Sequence, residues 1–117
     1  MLEEKAEDLG RVLGQTDEYK ALRRATEALR DNPEVQKVLA EAERLAQEIE
    51  RAAQQGTEPT KEQVEQYDGA LQGVQGNPVY QQMVAAQSNF EKLMNRINAR
   101  IYEGIKKGAA SPIITLG

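Results

Sequence analysis

Between Pro78 and Lys107, apolar side chains return every three or four positions: Met83, Phe90, Met94, Ile97, Ile101 and Ile105, with Gln87 as the one polar step. That period belongs to one face of an α-helix. The 30 residues from Pro78 to Lys107 would span ~45 Å as a helix, longer than the interior of a small globule. A stripe of that length wants a second helix beside it, so the chain is committed to long helices packed lengthwise. The composition supports this: Leu, Ile, Val and Phe make up only 24 of the 117 residues, against 15 Ala and 12 Gln. So little bulk lies near the edge at which burial offsets the entropy of ordering. Association with a second copy is one way to hide more surface.

The rest of the chain divides at recognisable stops and caps. Leu2, Ala6, Leu9 and Leu13 predict a short first helix over residues 2–13, weakened by Gly10 and ending near Gly14. Thr16 is placed to cap a second helix, with Asp17 and Glu18 at its positive end and Tyr19, Leu22 and Leu29 on one face. Asn32 and Pro33 open a third, whose stripe runs through Val35, Val38, Leu39, Ala42, Leu45, Ala46 and Ile49 to about Gln55. Gly56 suits the left-handed position after it. Thr60 and Gln63 have capping-box spacing and begin a fourth helix, faced by Val64, Tyr67, Leu71 and Val74. Gly69 and Gly73 inside this helix predict either low stability or close approach of another backbone. Asn77 and Pro78 then repeat the Asn32–Pro33 signal and launch the long C-terminal helix, a match that either a worn duplication or common capping chemistry explains. That helix is expected to end at Gly108. The expected fold is all-α, an antiparallel helical hairpin or bundle of about five helices. Residues 1–107 form its single domain, and residues 108–117 form an apolar tail. In that tail Ile113, Ile114 and Leu116 either dock on a neighbouring surface, act as a strand-like recognition peptide, or belong to a free end.

Several chemistries are excluded by residue type. The chain contains no Cys and no His, which removes Cys/His zinc sites, thiolate-held iron–sulfur clusters, disulfides and His-based proton transfer. Neither a metal nor a cofactor is expected. Glu41, Glu43, Glu48 and Glu50 alternate with Arg44 and Arg51 at the spacing of a solvated helix face. The expected ion pairs there are Glu41 with Arg44 and Glu48 with Arg51. Paired inward-facing carboxylates of a di-iron bundle would need Glu-x-x-His. The glycines at 69, 73 and 76 lack the strand and the Lys-Ser/Thr ending of a phosphate loop. No catalytic residue is assigned, and the chain is expected not to be an enzyme.

Charge is unevenly placed. Residues 1–75 carry 10 basic and 17 acidic side chains, and residues 76–117 carry 5 and 2. Lys92, Arg96 and Arg100 recur every four residues beside the apolar stripe and are the candidate contact for an RNA backbone or an acidic partner. Glu91 and Glu103 dilute that ridge, and no exposed aromatics interleave with it for base stacking. Nucleic acid is therefore the lesser reading. No run approaches the roughly 20 apolar residues of a membrane span, and the acidic start MLEEKAEDLG lacks the pattern of a secretory signal. A cytoplasmic location without membrane insertion is expected.

The order of these features resembles the YlbF/YmcA family of small bacterial helical proteins, in particular its YheA-like branch. Asp31-Asn32-Pro33-Glu34-Val35-Gln36 starts a long helix that Gln55-Gly56 closes before Pro59-Thr60-Lys61-Glu62-Gln63. Asn77-Pro78-Val79 then leads into Phe90-Glu91-Lys92-Leu93-Met94-Asn95-Arg96-Ile97-Asn98 and on to Ile101. The likeness covers about residues 16–106. It implies an α-helical protein that self-associates and has no known catalytic activity. Relatives act as regulatory adaptors in competence, sporulation and biofilm formation, some by joining a complex that directs a membrane-associated endoribonuclease in mRNA processing. Characterised relatives carry Cys residues linked to an iron–sulfur cluster, and this chain departs from them there.

The combined expectation is a non-enzymatic regulatory adaptor, a homodimer or higher homo-oligomer that also binds another protein. Met83, Phe90, Met94, Ile97, Ile101 and Ile105 are the expected self-association residues. The alternative is an RNA-binding accessory factor working through Lys92, Arg96 and Arg100.

Overall fold

A computed structural model describes residues 1–110 of the chain. Five helices follow one another: α1 (Leu2–Gly14), α2 (Asp17–Arg30), α3 (Pro33–Gln54), α4 (Lys61–Gln75) and α5 (Pro78–Ala110). The boundaries follow from local chemistry. Thr16 accepts the Tyr19 N–H at 3.2 Å. At α4 the capping box is complete: Thr60 Oγ1 accepts from the Gln63 N–H, and the Gln63 side chain accepts from the Thr60 N–H. Gly56 closes α3 with φ +79°, the only positive φ among the described residues, where a Cβ would crowd the backbone.

The two Asn-Pro turns share a construction beyond their caps. Asn32 Oδ1 accepts from the Val35 N–H at 3.0 Å, and Asn77 Oδ1 accepts from the Val79 N–H at 2.9 Å. Four residues after each Asn stands a glutamine whose amide reaches back over the turn. Gln36 Nε2 donates to the Leu29 carbonyl at 3.0 Å, and Gln81 Nε2 donates to the Gln75 carbonyl at 2.9 Å. Each turn thus satisfies orphan groups of the helix it ends as well as the helix it begins. The repeated unit is Asn-Pro-x-x-Gln.

The helices pack antiparallel in two main pairs, α2 with α5 and α3 with α4; the other neighbouring helices touch only slightly. The buried apolar residues are Val35, Ala42 and Leu45 on α3, Val74 on α4, and Ala86 and Leu93 on α5. At Gly73 α4 lies against α3, where a Cβ would meet Val38 Cγ1 at 3.4 Å, an ordinary van der Waals contact that does not demand Gly. At Gly69 nothing lies within 4 Å of that position, so close approach of another backbone accounts for neither glycine. No side chain of α1 or α2 is fully buried.

Two expectations are revised. The last helix does not leave at Gly108 but continues through it to Ala110, since one Gly near a helix end costs only up to about 1 kcal/mol and two alanines follow. On α3, Glu48 pairs with Arg44, not with Arg51: Arg44 bridges Glu41 at 2.5 Å and Glu48 at 2.7 Å. The Arg44 hydrogen bond holds the Glu41 carboxyl below its ordinary pKa and raises that of Arg44 in return. The group is a solvated face, as the alternation of charge predicts.

Candidate self-association surface

α5 has 33 residues and α2 has 14, so roughly 50 Å of helix lies beside roughly 21 Å. The shorter helix covers only part of the longer. At the covered end, the rings of Tyr19 and Phe90 meet edge to face with centroids 5.6 Å apart, a favoured aromatic geometry. Beside them Arg96 Nη2 lies 3.6 Å from Glu18 Oε2, tying the first turn of α2 to α5.

The expected stripe therefore has two fates. Met83, Phe90, Met94 and Ile97 are half-buried, whereas Ile101 and Ile105 are exposed. The line that α2 covers is not quite the line of the stripe. Its best-buried members are Ala86 and Leu93, which interleave with Met83, Phe90 and Ile97 at alternate spacings of three and four. This is the a/d pattern of a helix–helix seam. Continued, it would next place Arg100 and Gly104 in the seam, so the pattern breaks there. Beyond Ile97 the apolar residues shift to Ile101, Tyr102 and Ile105, which are 46%, 67% and 58% exposed. Both lines alternate steps of three and four from Met83 to Ile97 and differ in phase: the buried line steps three to Ala86 and Leu93 where the expected stripe steps four to Gln87 and Met94.

A second uncovered apolar surface lies on α1. Leu2 and Val12 are exposed, and Leu9 and Leu13 only half-buried. α1 touches α2 slightly, and its contact with α5 is at most marginal. A third feature is an open groove of about 430 Å³ bounded by Gln75, Tyr80, Gln81, Val84, Ala85 and Ser88, where α4 meets α5.

The three basic candidates are not brought together as a free cationic ridge. Arg96 pairs with Glu18 across helices and Arg100 with Glu103 at 3.0 Å; Lys92 is exposed. Such surface pairs are worth about 0–1 kcal/mol, but each sets a carboxylate where an incoming phosphate would have to sit. The tail candidates Ile113, Ile114 and Leu116 lie outside the described residues. Among the described residues no group of three or more acidic side chains is arranged to hold a metal ion, and no helix is long and apolar enough to cross a membrane.

The exposed area gives these surfaces their weight. The chain presents 9202 Å² to solvent, against roughly 6,300 Å² for a compact monomer of the same mass. The excess surpasses the ~800 Å² that each partner contributes to a standard interface.

Comparison with known proteins bears on nearly the whole of the described body. A family model described as "Control of competence regulator ComK, YlbF/YmcA" matches residues 2–106, at the level of the family as a whole. No individual curated protein matches the chain.

Proposed function

The chain belongs to the YlbF/YmcA family of competence-regulator proteins, and from that premise we propose that it is a non-enzymatic adaptor that self-associates and holds another protein in a cytoplasmic regulatory complex. The observation that carries this reading is the excess of exposed surface, which includes the stretch where α5 outruns α2. Ile101, Tyr102 and Ile105 form an apolar patch on a rigid helix, with Arg100, Lys106 and Lys107 around it. A hydrophobic centre with a charged rim is the anatomy of a protein interface. The pairing of Arg96 and Arg100 with carboxylates favours a protein over an RNA backbone as the occupant.

Within the family, a sequence without Cys fits the YheA-like branch better than the Cys-bearing relatives. Kinship with the family as a whole supports a role in competence, sporulation, biofilm formation or mRNA processing. The reading is tested first by mass in solution. Sedimentation of the 117-residue chain at micromolar concentration should give a dimer or higher oligomer. The Ile101→Asp/Ile105→Asp variant should dissociate at least tenfold more readily, since two charges would enter an apolar seam. A wild-type chain that stays monomeric, or a variant of unchanged mass, would remove the basis of the proposal.

A further inference from the structure

Two amphipathic segments are left open in the same structure, and they match one another. α1 has 13 residues, and so does the distal stretch of α5 over 98–110. α1 carries Leu2, Leu9, Val12 and Leu13 as its larger apolar side chains, and 98–110 carries Ile101, Tyr102 and Ile105. Their charges are opposed. α1 holds Glu3, Glu4, Glu7 and Asp8 against Lys5 and Arg11, while 98–110 holds Arg100, Lys106 and Lys107 against Glu103. Glu7 and Asp8 pair with Arg11, and Arg100 with Glu103, inside their own helices, so the opposition is one of net charge. Yet α1 is not laid on its own α5; it stands off beyond the short Gln15–Thr16 connection.

We infer that α1 of one copy seats on the distal end of α5 of a second copy, and the second α1 on the first α5, in a reciprocal exchange. This rests on the self-association proposed above and specifies which surfaces meet. The seat prolongs an existing contact. In the α2–α5 pair Tyr19 meets Phe90 near the first turn of α2, and α5 runs on past that turn with Ile101 and Ile105 exposed. A helix of matching length and opposite charge therefore continues the line that α2 begins. The exchange is isologous, as a two-fold dimer requires, and it covers Leu9, Val12, Ile101 and Ile105 together. Opposed net charge selects this pairing over α1 on α1 or α5 on α5.

Charge exchange between two full-length variants tests it. One carries Glu3→Lys, Glu7→Lys and Asp8→Lys; the other carries Arg100→Glu, Lys106→Glu and Lys107→Glu. Each alone should associate at least tenfold more weakly than wild type, because like charges then face each other at both seats. An equimolar mixture should recover association as a heterodimer, in which one seat regains the wild-type pairing and the other the reversed one. Circular dichroism confirms that α1 remains helical in each variant. A gentler pair covers loss of that helix: Leu9→Ala and Ile101→Ala favour helix, and each should weaken association several-fold. Their double variant should lose little more than either single one, since both remove the same contact. Normal association of each charge variant alone, failure of the mixture to recover, or fully multiplying losses in the Ala pair would overturn the exchange. If the wild type itself is monomeric, the self-association reading falls with it; if the wild type associates and the variants are indifferent, only the exchange falls.

Discussion

At the scale of single residues, the glycines separate by what surrounds them. Gly56 adopts φ +79°, so Gly56→Ala should destabilise the chain by about 1 kcal/mol or more. Gly69 lies inside α4 with open space where a Cβ would go, so Gly69→Ala should stabilise by roughly 0.5–1 kcal/mol. Urea midpoints moving in opposite directions are the expected result; equal shifts would contradict the backbone argument. Residues that act within one turn are legible in the sequence: Thr16, Asn32, Thr60 with Gln63, and Asn77 all cap as their spacing predicts. Gln36 and Gln81 are not. Their amides reach across a turn to the preceding helix; the Asn-Pro-x-x-Gln spacing sets the two apart among 12 glutamines, but what that spacing does shows only in the geometry of the turn.

At the scale of helices, the two pairs are joined mainly through the Asn-Pro turns, and each carries its own small core. Leu45 is 3% exposed on α3, and Leu45→Ala should cost about 2–5 kcal/mol. The loss should fall unevenly. In native-state hydrogen exchange, amides of α3 and α4 should lose more protection than those of α2 and α5; a uniform loss would mean that the pairs unfold as one unit. All five helices are visible in the sequence, because period and caps are local. Which part of α5 finds cover is not. That depends on α2 having only 14 residues against 33 and on its antiparallel register, and these decide that Leu93 is buried while Ile105 is exposed. For α1, periodicity reveals a helix with an apolar face but carries no sign that the face lies open.

At the scale of the whole molecule, the radius of gyration is 21.7 Å, against about 13 Å for a compact domain of this length. Small-angle scattering extrapolated to a dilution at which the chain is monomeric should return a value near 21.7 Å; one near the compact value would mean that the helices collapse together when alone. The thin apolar content points towards this outcome, but elongation itself is a property of how two pairs diverge, which no local pattern carries. The body measures 67 × 36 × 20 Å, and its length has a consequence for traffic at its surface. An ordinary domain of about 100 residues is roughly 35 Å across, so one such visitor at either end leaves the other end clear. The two ends thus lie further apart than one such domain can reach across.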